Sequence, residues 1–382
     1  MSVSLWNKIK KNVEYDVVII GGGISGLSAA YWLSKYSDLR IAIVEKNTIG
    51  SGASGRNAGF ITCGSVEHFS RLVSLHGLEE SLKIWKFSED NLSLLKEHII
   101  KDKDIGFEHC GSFSLATEKT ELDELISSAN IMKDNNIDVE ILNEIDVKSR
   151  LGVEKFIGGI KYLNDATVNP IKLLNEIKNN LGKNVDIFEN NEVYEVNNSL
   201  VKTNQLDIKT SSTIYALNGY TSFIDKFFEN KIYPTRGQVV STEKATPFME
   251  GACYANSFLD YFRQSKEGEF VIGGFRQENE EVTLNHDGIN PKVNKELENF
   301  IKDYIPKLKD VKINHRWSGI MGFSTDGQPM VGSLPSNQEI FYLGGYTGHG
   351  LGLAFHCAKV LVDLMMEGTQ LPVFLSGRRF EK

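Results

Sequence analysis

Cysteine is scarce in this chain, and its few cysteines stand far apart. The 382 residues contain four, Cys63, Cys110, Cys253 and Cys357, with no Cys-x-x-Cys pair. Such spacing argues against a zinc site and against a disulfide framework. We therefore predict no metal centre and a cytoplasmic location, where thiols stay reduced.

Long apolar runs and blocks of basic residues are also missing. No stretch approaches the ~20 apolar residues that cross a bilayer, and the polar segment 1–14 does not resemble a secretory signal. Acidic residues outnumber Lys and Arg by 50 to 42, for a formal net charge of −8. We expect no integral membrane segment and no nucleic-acid partner, and instead chemistry on a small molecule.

A nucleotide-binding signature lies within the first fifty residues. The apolar segment 15–20 predicts a buried parallel strand, and it runs directly into Gly-x-Gly-x-x-Gly at 21–26. Gly21 permits the tight turn, Gly23 lets the backbone approach a pyrophosphate, and Gly26 brings the next helix close to the strand. The helix N-terminus then offers N–H groups to the phosphates.

A second predicted strand, 40–45, ends in a carboxylate at Glu45. This carboxylate is suited to the ribose hydroxyls of an adenosine and would repel a 2′-phosphate, which disfavours NADP. The motif alone does not choose between FAD and NAD.

Two further glycine-rich segments are candidates for the same ligand. Segment 50–59 is rich in small residues, so its backbone can lie against a flat ligand, with Arg56 near phosphate charge, although a flexible surface loop fits equally well. Segment 344–352 lies between a strand and the most apolar helix, so a second helix N-terminus would face the ligand. There His349 either serves the ligand or substrate, or is a packing or capping histidine.

The order of predicted elements describes an α/β protein with two interleaved domains. An α/β start is followed by a mixed region, an α/β return, a β-rich block and a closing strand and helix. We predict a discontinuous Rossmann-like nucleotide-binding domain, interleaved with a β-sheet-rich α+β substrate domain. The nucleotide-binding domain comprises 1–76, 151–226 and 313–382. The substrate region comprises 77–150 and 227–312.

Several motifs in order along the chain resemble the FAD-dependent D-amino-acid oxidase and glycine oxidase superfamily. They are the 21–26 fingerprint with Glu45, Ser54-Gly55-Arg56-Asn57, Ala216-Leu217-Asn218-Gly219-Tyr220, Pro234-Thr235-Arg236-Gly237-Gln238, Asp326-x-x-Pro329-x-Val331-Gly332 and Gly348-His349-Gly350. The Arg56-Asn57 pair and Asp260-Tyr261-Phe262-Arg263 look most like the γ-glutamylputrescine oxidase branch.

The resemblance implies FAD extended across the nucleotide domain, with its ring at the domain interface. The cofactor-binding residues that it implies run from the adenylate end to the flavin: Gly21, Gly23, Ile24, Ser25, Gly26, Glu45, Lys46, Ser51, Gly52, Ala53, Ser54, Arg56, Asn57, Ala58, Gly59, Val193, Ala216, Asn218, Gly219, Gly322, Gly348, His349, Gly350 and Leu351. The implied chemistry is hydride transfer from a C–H next to nitrogen to flavin N5, giving an imine that water hydrolyses. Oxygen or another acceptor then reoxidises the flavin.

Two departures from the superfamily pattern shape the expected active site. Amino-acid-oxidising members carry a carboxylate-clamping arginine where this chain has Met321, so Arg263, or else Arg56, becomes the candidate for an acidic group. Members that tether flavin use His or Cys near the positions of Asn57, Ile320 and Met321, so we expect FAD to be non-covalent. No general base is evident, and Tyr261, Tyr254 and His349 stay candidates. Our predicted catalytic residues are Arg263, His349, Tyr261 and Met321.

The sequence therefore predicts an FAD-dependent amine or amino-acid oxidase or dehydrogenase. A flavoprotein retained for assembly or partner binding, without turnover, is an alternative. A relative that oxidises an aminomethyl group on a tRNA base is another, although the acidic charge counts against it. The substrate, the electron acceptor and the oligomeric state are left open.

Overall fold

Two eight-stranded sheets organise the computed structural model, which describes residues 11–64, 67–197, 199–275 and 288–380. The helices are α1 (Ile24–Tyr36), α2 (Phe69–His76), α3 (Leu78–Leu95), α4 (Lys119–Asp134), α5 (Glu144–Leu151), α6 (Pro170–Asn179), α7 (Pro291–Tyr304) and α8 (Gly350–Glu367). The strands are β1 (Lys11–Ile20), β2 (Ile41–Val44), β3 (Phe60–Ile61), β4 (Ser112–Ala116), β5 (Val139–Asn143), β6 (Gly158–Tyr162), β7 (Ala166–Thr167), β8 (Val185–Phe188), β9 (Val193–Asn197), β10 (Leu200–Thr203), β11 (Leu206–Tyr215), β12 (Ile232–Lys244), β13 (Ala252–Ala255), β14 (Asp260–Gln264), β15 (Glu269–Gly274), β16 (Ile313–Ser324), β17 (Met330–Leu334) and β18 (Asn337–Gly344).

The first sheet has the strand order β17-β18-β11-β1-β2-β8, and β9 and β10 form an antiparallel extension on β11. Strands β18, β11, β1, β2 and β8 run parallel to one another. The β-branched residues 17–20 of the central strand β1 are at most 3% exposed, as expected when both faces of a parallel sheet are covered. The predicted strand–helix–strand unit at the N-terminus is therefore confirmed.

The second sheet has the order β16-β12-β15-β14-β13-β4-β6-β5, and its neighbours are antiparallel except for β13 and β4. Alternation along β14 sends successive side chains to opposite faces. Phe262 is fully buried in a core with Val293 and Leu297 of α7, whereas Tyr261 faces the other way. This second face of the sheet is turned toward the first sheet.

Helices α1 and α8 pack against each other and join the two ends of the chain. The indole N–H of Trp32 donates to the carbonyl of Phe355 at 3.0 Å, and the hydroxyls of Ser25 and Tyr346 lie 2.8 Å apart. Both hydrogen bonds are buried. They hold the N-terminal turns of the two helices in a fixed relation.

The predicted α/β class with interleaved sheets is confirmed, because the chain alternates between the two sheets. Strands β6 and β16 pair within the second sheet, although the predicted boundaries at 151 and 313 assign them to the nucleotide-binding part. Those boundaries stay predictions. Segment 107–117 contributes the single strand β4, with one isolated bridge at Glu108.

Within the described ranges, no helix combines the length and apolarity needed to span a membrane. The same part of the chain has no cluster of three or more His, Cys, Asp or Glu side chains arranged for a metal ion. The four cysteines are free thiols.

Candidate functional site

A cavity of about 650 Å³ lies where the carboxyl ends of β1, β2 and β11 meet the second sheet. This is the edge where open α/β sheets bind ligands. Most of the predicted cofactor-binding residues line it: Gly21, Gly23, Ile24, Ser25, Glu45, Lys46, Ser51, Gly52, Ala53, Ser54, Arg56, Asn57, Ala58, Val193, Ala216, Asn218, Gly348, His349, Gly350 and Leu351. Residues spread over the whole sequence therefore meet at one site, and their individual contacts with a cofactor stay predictions.

Two helix N-termini open onto this cavity. The N-cap residues are Gly23 for α1 and His349 for α8, and neither makes a side-chain capping hydrogen bond. The N–H of Ile24 donates to the hydroxyl of Ser54 at 2.9 Å. Because the first N–H groups of a helix lack intrahelical partners, both ends are suited to negative charge on a ligand.

The glycines of the fingerprint have the close contacts that the motif predicts. Gly21 adopts φ +112°, and a Cβ there would lie 2.5 Å from the carbonyl oxygen of Ala216. At Gly26 a Cβ would collide with the carbonyl oxygen of Gly21. The turn and the close packing of α1 on β1 thus both require the absence of a side chain.

The carboxylate of Glu45 is held in place by backbone groups. One oxygen accepts from the N–H of Gly22 at 2.8 Å and the other from the N–H of Asn47 at 2.9 Å. Each carboxylate oxygen has a further lone pair for a ligand hydroxyl. Beside it, the ammonium of Lys46 lies 4.7 Å from the ring centroid of Tyr220.

Four predicted cofactor-binding glycines, Gly26, Gly59, Gly219 and Gly322, are not among the lining residues of this cavity. Instead they let neighbouring backbone segments approach behind its wall. A Cβ on Gly219 would lie 2.5 Å from the carbonyl oxygen of Met321, and one on Gly59 would collide with the carbonyl of Val168. These glycines therefore have a packing role in the structure, and their expected contact with the cofactor stays a prediction.

Aromatic rings line one part of the cavity. We call Phe60, Tyr254, Phe258, Tyr261 and His349 the aromatic chamber, and all five line the cavity. The ring centroid of Tyr254 lies 5.2 Å from that of Phe60, 5.0 Å from Phe258 and 6.0 Å from His349. Tyr261 lies 6.0 Å from Phe60. The chamber joins residues of the second sheet and Phe60 of the short β3–β7 pair with the N-cap of α8.

The predicted catalytic residues Tyr261, His349 and Met321 thus come together, and Tyr254 lies with them. The hydroxyls of Tyr254 and Thr62 are 2.9 Å apart. Burial raises the pKa of Tyr254, and the hydrogen bond with Thr62 only partly offsets this. A neutral phenol is expected at physiological pH, so Tyr254 is a hydrogen-bonding group and not an anionic base.

Arg263 is the exception among the predicted catalytic residues, because it does not line the cavity. It is 7% exposed, and its guanidinium donates to the carbonyl of Val168 at 2.9 Å. Its Nε has no hydrogen-bond partner in the described part of the protein. The alternation of β14 correctly places Arg263 on the face of Tyr261, but the segment around Gly59 and Val168 separates it from the chamber. The structure does not place Arg263 among the lining residues, and its catalytic role stays a prediction.

Arg56 lines the cavity but is bound to main-chain carbonyls. Its Nε donates to Ser51 at 2.7 Å and its Nη1 to Ser318 at 3.0 Å. Its side chain lies against Gly319 of β16. Arg56 therefore fastens segment 50–59 to the second sheet, in addition to any role near phosphate.

The buried carboxylate of Asp165 binds the segment that follows Phe60 of the chamber. Asp165 is 1% exposed, and its carboxylate accepts from the N–H of Cys63 at 2.9 Å and the hydroxyl of Ser112 at 2.5 Å. Burial raises the pKa of Asp165 from 3.8 to about 6, against the opposing effect of these hydrogen bonds. Because Cys63 follows Thr62, the carboxylate helps to fix the segment that carries Phe60.

Several lining residues were not identified from the sequence. Phe60 directly follows the small-residue segment, and Gly237 lies in the motif at 234–238, so both had a local signal. Phe258 had none. It lies in a turn in which Asn256, Ser257 and Phe258 all have positive φ, 50°, 51° and 64°, a conformation that these residue types do not specify.

Comparison with known proteins identifies the family. A family model described as FAD dependent oxidoreductase matches residues 16–364. The chain belongs to this family. It is therefore an FAD-dependent oxidoreductase, and the expected cofactor and superfamily are confirmed.

The relatives are similar over nearly the whole chain. The chain is 24% identical to a probable oxidoreductase, OrdL, of Haemophilus influenzae, covering 95% of this chain and 88% of that protein. It is 22% identical to γ-glutamylputrescine oxidoreductase of Escherichia coli, covering 94% and 85%. The crystal structure of glycine oxidase from Geobacillus kaustophilus matches with a TM-score of 0.81 at 21% identity, covering 95% and 96%. At this identity the structural match supports the fold alone.

The cavity fits an FAD in its chemistry. It presents two helix N-termini to anionic groups, a backbone-held carboxylate at Glu45 to ribose hydroxyls, and the small residues Gly52 and Gly348, where a Cβ would meet no protein atom within 4 Å. An aromatic, largely uncharged space follows beyond Gly348. These features suit a ligand with a charged middle, a polar end and a flat apolar end.

Proposed function

We propose that this flavoenzyme oxidises the C–N bond of a small amine or amino acid. The observation that carries the proposal is the aromatic chamber, which adjoins the N-terminus of α8 in the cavity that fits FAD. The names of the relatives, among them a glycine oxidase and a sarcosine oxidase subunit, support an amine or amino acid as substrate.

In this proposal the residues near Glu45 and Val193 hold the adenylate end, and segments 50–59 and 348–351 surround the flavin. Bound FAD supplies a hydride acceptor at N5 and passes two electrons to oxygen or another acceptor. The neutral amine loses hydride from the carbon next to nitrogen and leaves as an iminium ion. Water then adds to that carbon, giving a carbonyl compound and a protonated amine or ammonium.

The protein's own groups would position the substrate and keep water away from the reacting carbon. Tyr254 is fixed by Thr62, so its ring has one orientation in the chamber. His349 stacks nearly parallel to it, with an interplanar angle of 15°. Deprotonation of the amine in solution or by such a polar neighbour would precede hydride loss.

We further propose that FAD is non-covalent and that the enzyme is cytoplasmic. Asn57 is engaged locally, since its amide donates to the carbonyls of Ala53 and Ser54 and its oxygen accepts from Gly59. An amide, unlike a thiol or imidazole, does not tether flavin. The four free thiols are consistent with a reducing compartment. Heat denaturation should release all of the flavin into the supernatant, and flavin that stays with the precipitated protein would contradict non-covalent binding.

The test of the activity is anaerobic mixing of the FAD-loaded protein with amines, polyamines, N-methyl compounds and D- and L-amino acids, while flavin absorbance is recorded. We expect at least one compound to bleach the flavin. Readmitting oxygen and measuring peroxide then separates an oxidase from a dehydrogenase. If none of the compounds reduces the flavin, and a stable protein partner co-purifies, the assembly role becomes the better explanation.

A further inference from the structure

The aromatic chamber offers ring faces and edges on several sides. Tyr254 contacts three of the other four rings, and Phe60 meets both Tyr254 and Tyr261 edge-to-face, at 76° and 80°. The π-faces of aromatic rings attract ammonium groups and pack well against alkyl groups, and they offer nothing to an anion.

The side chain of Met321 lies in this chamber as well. Its Cε is 3.1 Å from the position that a Cβ on Gly237 would take, and the hydroxyl oxygen of Tyr261 is 3.8 Å from the same point. The methyl group of Met321 and the hydroxyl of Tyr261 therefore both lie beside Gly237. A thioether is apolar and adaptable, so this wall also carries no charge.

Charged side chains of the described residues that line the cavity lie outside the chamber. Glu45, Lys46 and Glu192 line its adenylate end, together with Val193. Arg56 is bound to main-chain carbonyls at the junction with β16.

Arg263, on the same face of β14 as Tyr261, is also engaged elsewhere, because its guanidinium donates to the carbonyl of Val168. A carboxylate placed among the five rings would lose its hydration and would meet the imidazole of His349 and two phenol hydroxyls, but no lysine or arginine side chain of the chamber.

We propose that the chamber selects amines that carry no carboxylate on the reacting carbon, and that it binds their alkyl and ammonium groups against Tyr254, Tyr261 and Phe60. The inference rests on the proposed function and narrows its substrate class. It identifies Met321 and Tyr261 as the residues that set this specificity.

Matched pairs of compounds test the selectivity, since in each pair the carboxylate of the amino acid is replaced by hydrogen or by a methyl group in the amine. The FAD-loaded protein is mixed anaerobically with pyrrolidine or proline, and with N-methylethylamine or sarcosine. For each compound, the rate constant of flavin reduction is divided by its Kd. The ratio is calculated for the concentration of the neutral amine, so that differences in amine pKa do not enter. We expect each amine to exceed its amino-acid partner by about 100-fold or more, the order of effect for an unpaired buried charge. Equal values, or faster reduction by the amino acids, would overturn the inference.

Binding without turnover gives an independent measurement. Tetramethylammonium should perturb the flavin spectrum and compete with N-methylethylamine, whereas acetate should do neither. Competition by acetate at lower concentration than tetramethylammonium would count against the chamber as a cation site.

Substitutions at the two specificity residues complete the test. Met321→Arg should raise the reduction rate with sarcosine and lower it with N-methylethylamine, because it brings a cation beside Tyr261. Tyr261→Leu should reduce the preference for amines about 10-fold, whereas Tyr261→Phe, which keeps the ring, should retain it. The exposed Tyr233→Leu is the matched control outside the cavity and should retain the wild-type preference.

Flavin content and melting temperature identify variants that fail to fold. If Met321→Arg fails to fold, the comparison of Tyr261→Leu with Tyr261→Phe tests the assignment. Unchanged selectivity in both Met321→Arg and Tyr261→Leu would overturn the assignment. Failure of every amine and every amino acid to reduce the flavin would instead refute the proposed function itself.

Discussion

Replacing Asp165 by asparagine should remove a pH-dependent destabilisation from the protein. The carboxylate is buried between the N–H of Cys63 and the hydroxyl of Ser112, and burial raises the pKa of Asp165 from 3.8 to about 6. The folded protein therefore holds this proton more tightly than the unfolded chain does. The favourable effect is fully present below pH 3.8 and is lost as the pH rises through about 6.

The size of the effect follows from the two pKa values. They differ by about two, and each factor of ten corresponds to 1.36 kcal/mol, so the wild type should lose about 3 kcal/mol of stability from this group between pH 4 and pH 7. Asparagine has nearly the same shape and no charge. Its oxygen can accept from Cys63 and its amide can donate to the hydroxyl of Ser112.

Urea unfolding of the FAD-loaded wild type and of Asp165→Asn, at several pH values from 4 to 7, measures this difference. We expect the stability of the variant relative to the wild type to rise by about 3 kcal/mol across the range. The exposed Asp138→Asn is the control, and its stability relative to the wild type should stay constant. A relative stability of Asp165→Asn that does not change with pH would refute a buried, proton-binding Asp165.

Three other predictions concern the cofactor and a surface ion pair. Gly21→Ala should abolish FAD retention on desalting and lower stability by roughly 2–4 kcal/mol, because its Cβ would press on Ala216 at a positive φ. Gly52→Ala is the control, since its Cβ meets no protein atom within 4 Å, and it should leave the melting temperature of the FAD-free protein unchanged. Glu250→Gln should cost about 1 kcal/mol at pH 7, since Arg150 lowers the pKa of this half-exposed carboxyl to about 2; urea unfolding should show the difference shrinking as the pH falls from 4.5 toward 2. Removing FAD should lower stability to urea, by about 2.7 kcal/mol relative to protein with free FAD at 100 times Kd, and a melting temperature independent of FAD concentration would contradict binding to the folded state.

The nucleotide-binding half was predictable from the sequence because its signals are local. Strand β1, the glycines at 21–26 and helix α1 are adjacent in the chain. The apolar run of the strand and the spacing of the glycines together indicate where the turn lies and where the helix begins. The same holds for strand β18, the glycine-rich turn and helix α8. Repetition of this pattern predicts that both helix N-termini face one ligand. In the structure, the hydrogen bond between Ser25 of α1 and Tyr346, just before α8, holds the two N-termini together.

The substrate half was less predictable because its signals are non-local. Period-two alternation places Tyr261 and Arg263 on one face of β14, but it does not say which segment crosses that face. Gly59 and Val168 cross at Arg263, and the chamber opens at Tyr261. Phe258 illustrates the same limit, because three successive left-handed residues carry it into the cavity. Their conformation is stabilised from outside, for instance by the carboxylate of Glu121, which accepts from the N–H of Ser257 at 2.8 Å.

The chamber and the predicted FAD-binding residues lie largely in different parts of the fold, so substrate specificity can change while FAD binding is kept. The residues predicted to bind FAD lie mainly at the edge of the first sheet and at the N-termini of α1 and α8, and these two helices are packed together by Trp32 and Phe355. The chamber takes Tyr254, Phe258 and Tyr261 from strands β13 and β14 and the turn between them, whose opposite face packs on α7. Exchanging the side chain of Tyr254, Phe258 or Tyr261 therefore leaves the helix termini in place. Variants at Tyr261 should change the amine that reacts while FAD affinity stays within a few fold of the wild type, and a parallel loss of both would show that the two halves are coupled.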